Sequence, residues 1–155
     1  MTTPTTPVLG TRRVCQIAVV VRDIDRAARH WSTFLGLPIP PTITTASGDK
    51  VGQTYLGEPS NARCKLAFFQ MDNTVIELIE PLGGASSWQA VLDEKGEGVH
   101  HIAFTITDTA GRTRSLAEQG LSVMHQGGDP ATGQFTYIDS RDKLGVIVEL
   151  LEGYK

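Results

Sequence analysis

The chain has 155 residues, 40% of them hydrophobic, and a formal net charge of −3. That is enough apolar material for one domain with its own core and no disulfide staple, and a weakly acidic chain without a run of Lys and Arg argues against a nucleic-acid partner. No apolar stretch reaches the roughly 18 to 20 residues of a membrane span, no signal peptide opens the chain, and Cys15 and Cys64 are too few for a disulfide framework, so a cytoplasmic protein acting on small molecules is expected.

Residues 1–11, rich in Thr and Pro, read as a disordered leader. Val14–Val21 is short and rich in β-branched residues, as expected of a strand covered on both faces. Asp23 then offers a helix N-cap, and Ile24, Ala27, Ala28, Trp31, Phe34 and Leu35 recur at helical spacing until Gly36. From Pro38 to Ala62 the chain is irregular and polar, which predicts one exposed strand and a mobile loop of the kind that contacts substrates. Lys65–Met71 and Thr74–Glu80 predict two strands joined by a tight turn at Asp72-Asn73. Ser86 can cap a short helix carrying Trp88, Val91 and Leu92. The rest predicts a strand at Val99–Ile106, a helix at about Thr109–Gln119, and three strands near Ser122, Phe135 and Val146.

The order β-α-β-β-β therefore occurs twice, and short stretches repeat with it. Val99-His100-His101-Ile102-Ala103 matches Val14-Cys15-Gln16-Ile17-Ala18, so His101 falls on Gln16. Val75-Ile76-Glu77-Leu78-Ile79 likewise resembles Ile147-Val148-Glu149-Leu150-Leu151. The expected organisation is a first module at 12–82, a linker with a short helix at 83–97, and a second module at 98–153, forming one α+β domain with a curved mixed sheet.

Alternate strand side chains share a face. Gln16 then points with Ala18 and Val20, His101 with Ala103 and Thr105, Glu77 with Val75 and Ile79, and Glu149 with Ile147 and Leu151. If both helices lie outside the curve, all four polar residues face inward. A buried carboxylate among aliphatic groups is costly unless a cation answers it. One amide oxygen, one imidazole and two carboxylates suit a divalent ion such as Co, Ni, Zn, Mn or Mg. His100 has the opposite parity and is expected to pack or hydrogen-bond rather than ligate. His30 and His125 show no partner in the sequence and are assigned ordinary structural places.

Over roughly residues 12–152 these features resemble the vicinal oxygen chelate superfamily, the glyoxalase-like fold of paired βαβββ modules. Glu77-Leu78-Ile79-Glu80-Pro81-Leu82-Gly83 and Gly96-Glu97-Gly98-Val99-His100-His101-Ile102-Ala103-Phe104 look like its methylmalonyl-CoA epimerase branch. The resemblance implies metal ligands at Gln16, Glu77, His101 and Glu149. It also implies an enzyme that removes a proton beside a carbonyl, with Glu149 and then Glu77 as candidate bases, on an acyl-CoA or dicarbonyl substrate. Homodimers are common in that family. The order Gln, Glu, His, Glu resembles lactoylglutathione lyase, which supplies an alternative. A metal-free binding or resistance protein on the same fold is an alternative of another class. A ring-cleaving dioxygenase is disfavoured because only one of the four residues is His.

Overall fold

In the computed structural model, which describes residues 7–155, the β-branched run after Val14 forms β1 (Gln16–Val20), and its side chains divide between two apolar layers. Ala18 and Val20 join a buried cluster with Ile79 and Ile147, whereas Val19 packs against a second cluster containing Val21. α1 (Ile24–Leu35) begins where the Asp23 side chain accepts from the Arg26 amide and ends at Gly36, whose φ of 67° is left-handed. Its buried Ile24 and Ala28 meet Ala67, Phe69 and Leu78, so α1 covers the outer face of the first half.

Next come β2 (Ile43–Thr44), a 3₁₀ turn at Gly48–Val51, β3 (Thr54–Tyr55), β4 (Glu58–Pro59), β5 (Cys64–Gln70) and β6 (Val75–Pro81). α2 (Ser87–Lys95), capped by the Ser86 hydroxyl, places Trp88, Val91 and Leu92 in the inner cluster. The second half holds β7 (Gly98–Thr105), α3 (Thr109–Glu118), β8 (Ser122–Asp129), β9 (Gly133–Asp139), α4 (Arg141–Leu144) and β10 (Ile147–Glu152). Leu116 of α3 packs with Ile138, Val148 and Leu150 on the outer face there.

The ten strands form one mixed sheet in the order β2-β5-β6-β1-β7-β10-β9-β8-β3-β4, curled into a half-barrel. Its centre carries the internal repeat. β1 runs parallel to β6 with Ala18 opposite Glu77, and β7 runs parallel to β10 with Ala103 opposite Glu149. In the antiparallel seam between the halves, Gln16 lies opposite Ala103 and Ala18 opposite His101. Exchanging the halves maps each pairing onto another, which is why residues matched along the chain meet across the sheet.

Three features depart from the sequence expectations. Residues 1–6 of the expected leader lie outside the described residues. Residues 7–11 are docked: Leu9 packs on the outer cluster of the second half, and Arg112 of α3 donates to the Val8 carbonyl at 3.1 Å. The stretch from Pro38 to Ala62 holds three short strands and a 3₁₀ turn instead of one exposed strand, and it crosses between halves. β2 lies beside β5 at one sheet edge, and β3 lies beside β8 near the other. Buried Gln53 holds this crossing segment by donating to the carbonyls of Ser60 and Ala62 at 3.3 and 3.2 Å. The four-residue α4 was not expected; a turn this short leaves no periodicity to read.

Candidate metal centre

The structure brings Gln16, Glu77, His101 and Glu149 together on the inner face. The Nε2 atom of His101 lies 2.8 Å from Glu149 Oε2, 3.5 Å from Glu77 Oε2 and 3.0 Å from Gln16 Oε1. Glu77, His101 and Glu149 are all buried, and one ligand atom from each falls within 4.8 Å of the others, forming a group able to hold a metal ion. Each comes from a different strand and is held by its ladder, so the spacing is set by sheet register rather than by loops.

The donor set itself fits a cation. The Gln16 oxygen faces only acceptors, and turning the amide over would let its nitrogen donate to Glu149 at 3.0 Å, Glu77 at 3.2 Å and His101 Nε2 at 3.0 Å. With oxygen inward, three oxygens and one imidazole nitrogen converge, the donor set a divalent ion takes. With nitrogen inward, the amide relieves the same repulsion in the metal-free protein.

Burial shapes the charges. The Glu149 carboxyl is pushed up to about 8 by burial, while a hydrogen bond from the Tyr137 hydroxyl pulls the other way. Glu77 is raised well above the carboxylate range, first by burial and then by the charge of Glu149. His101 is pushed down to about 3 by burial, so its ring stays neutral and keeps a lone pair. Two acids that resist ionising beside an imidazole that resists protonation make a centre short of positive charge.

Gln16, Glu77 and Glu149 border a cavity of about 450 Å³, with His101 buried behind them. Its walls are mainly apolar, with Leu66, Phe68, Trp88, Phe135, Leu151 and Tyr154, and Thr45, Ala46 and Val51 come from the crossing segment. Among the described residues, no lysine or arginine lines it. Lys65 is paired instead with Glu80 at 3.5 Å, and Arg63 donates to the Thr45 carbonyl at 3.2 Å.

Two neighbours escaped strand parity. β7 bulges at its seam with β1, where Ala18 pairs with His101 but Val19 pairs with Val99, leaving His100 as the extra residue. His100 is therefore buried beside His101, with the two Nδ1 atoms 2.8 Å apart. It hydrogen-bonds, as expected. β8 skips a residue against β9 between Val123 and His125, so Met124 and His125 are both buried. His125, assigned no partner from the sequence, lies 2.9 Å from the Ser87 hydroxyl. His30 stays exposed on α1.

This arrangement has relatives. The Glyoxalase/Bleomycin resistance protein/Dioxygenase superfamily matches residues 15–137. The uncharacterized protein YqjC of Bacillus subtilis is 34% identical over 144 residues, covering 90% of this chain and 91% of that one. The ethylmalonyl-CoA/methylmalonyl-CoA epimerase of Cereibacter sphaeroides is 28% identical over 143 residues, covering 89% and 96%. The crystal structure of methylmalonyl-CoA epimerase from Mycobacterium tuberculosis superposes with a TM-score of 0.63 at 22% identity, covering 99% of this chain and 94% of that one. With its repeat, its curled sheet and its matched sequence in agreement, the chain belongs to the glyoxalase/bleomycin resistance protein/dioxygenase superfamily.

Proposed function

We propose that this protein is a divalent-metal-dependent epimerase or isomerase that removes and returns a proton at the carbon beside a carbonyl, in the manner of methylmalonyl-CoA epimerase. The observation that carries this reading is the convergence of four acceptor atoms, two of them buried carboxylates, at the wall of an apolar cavity. A similar protein named ethylmalonyl-CoA/methylmalonyl-CoA epimerase supports the acyl-CoA class.

Gln16, Glu77, His101 and Glu149 would hold the ion, which supplies Lewis-acid stabilisation of the negative charge that develops on a substrate oxygen. The protein's own groups do the rest. Glu149 serves first as the base: loosened from the ion when substrate binds, its carboxylate can take the proton and return it. The Tyr137 hydroxyl, which accepts from the Trp88 indole N–H at 3.0 Å, steadies the ionised carboxylate. Glu77 holds the equivalent place in the other half and is the candidate for the second base that inversion of a stereocentre requires. Apolar walls exclude water from the carbanion.

The test is proton exchange. Co-loaded protein should remove the α-proton signal of methylmalonyl-CoA in heavy water, and Glu149→Ala should abolish that loss. Exchange unaffected by Glu149→Ala would refute the assignment of the base. A second reading, a lactoylglutathione-lyase-like enzyme, is favoured by the two-carboxylate ligand set. Turnover of the methylglyoxal–glutathione adduct without methylmalonyl-CoA exchange would select it. Failure to take up any divalent ion would select a metal-free binding protein.

A further inference from the structure

Three buried histidines and a serine form a hydrogen-bonded line leading away from the centre. His101 Nδ1 lies 2.8 Å from His100 Nδ1, His100 Nε2 lies 3.1 Å from Ser87 Oγ, and Ser87 Oγ lies 2.9 Å from His125 Nδ1. All four residues are at most 1% exposed. His125 Nε2 has no hydrogen-bond partner, and the ring sits among Trp88, Phe135, Tyr137 and Tyr55, with centroids 4.6 to 5.7 Å away. None of His100, Ser87 and His125 lines the cavity, and the chemistry above uses none of them.

Each link taken alone can run in either direction, because a neutral imidazole carries its proton on one nitrogen or the other and a hydroxyl both donates and accepts. One contact removes the ambiguity. The Ser87 backbone N–H, a free donor at the start of α2, points at His125 Nδ1 at 3.4 Å and can only donate. His125 Nδ1 must therefore be bare, with its proton on Nε2. The Ser87 hydroxyl then donates to His125 and must accept from His100 Nε2–H. That leaves His100 Nδ1 bare, so it accepts from His101 Nδ1–H, and the lone pair of His101 falls on Nε2, facing Gln16, Glu77 and Glu149. The count gives each neutral ring its one proton and one bare nitrogen.

We infer that the Ser87 amide, acting through His125, the Ser87 hydroxyl and His100, sets the tautomer of His101, making Ser87, His100 and His125 positioning residues of the metal centre. Metal-binding histidines commonly take their orientation and tautomer from a carboxylate or carbonyl that accepts the second ring proton. Here a second imidazole accepts it, and its own tautomer is set by a helix N-terminus two links further on. The bulge in β7 brings His100 into this line: without it, alternation would turn His100 away from the inner face, whereas His125 shares that face with Tyr137 opposite it.

The inference rests on the metal-centre reading, and its test separates the two. Long-range proton–nitrogen NMR of the metal-free protein should show His101 protonated at Nδ1 and both His100 and His125 protonated at Nε2. Zinc uptake measured by calorimetry should then weaken between about tenfold and a hundredfold in Ser87→Ala and in His125→Phe, with His101 populating both tautomers. The wild-type pattern needs no variant, so it decides the matter even if a variant misfolds. The opposite tautomers in wild type, or unchanged tautomers and zinc affinity in both folded variants, would overturn the inference while leaving the metal centre standing. No zinc uptake by wild type would overturn the metal reading, and this inference with it.

Discussion

Metal loading should release protons, and the structure sets how many. Burial pushes the Glu149 carboxyl up to about 8, which favours its protonated form at pH 7, and Glu77 is raised in the same direction. Both carboxylates must be ionised to ligate, whereas His101 is already neutral and gives up nothing. Adding zinc to the metal-free protein at pH 7 should therefore expel between about one and two protons per ion. Because protons and metal compete for the same oxygens, apparent affinity should rise with pH by about tenfold per pH unit for each displaced proton. Titration calorimetry in buffers of different ionisation enthalpy reads the proton count directly, and Glu77→Gln should lower it to about one or less. A count near zero at pH 7, or equal affinity at pH 6 and pH 8, would mean that the carboxylates are already ionised or do not bind the metal.

The same shifts predict the pH dependence of stability. The raised carboxyls stabilise the metal-free fold at acid pH and lose that contribution as pH rises, Glu149 towards about 8, while the depressed histidines contribute above pH 6.5 and lose it as pH falls, His101 and His125 towards about 3. The Tm of the metal-free protein should peak near about pH 6.5, and divalent metal should flatten the alkaline side; a Tm still rising from pH 7 to 8 without metal would contradict this. Two ionised carboxylates and a divalent ion sum to no net charge in a cavity lined by no lysine or arginine among the described residues. Glu77→Gln should thus strengthen binding of a monoanionic chelator such as lactate by about tenfold in calorimetry, with little change for neutral hydroxyacetone. Phe69→Ala, under α1 on the outer face, should cost about 3–5 kcal/mol in denaturant unfolding yet leave zinc uptake per folded molecule unchanged.

The sequence by itself determined the two modules, α1 with its caps, α3, and the inward side of β1, β6, β7 and β10. It could do so because these features are periodic: an apolar stripe fixes a helix face, strict alternation fixes a strand face, and the repeat carries one half's reading to the other. Gln16, Glu77, His101 and Glu149 were legible for that reason, being isolated polar groups at matched positions in aliphatic runs. Tertiary structure alone decided what breaks period or spans halves. The bulge that buries His100 inserts one residue into β7 and leaves no mark in composition. The crossing segment from β2 to β3 is held by long-range pairing and by Gln53, not by local propensity. The direction of the histidine line depends on one backbone N–H at the start of α2, which every non-proline residue carries and no sequence displays.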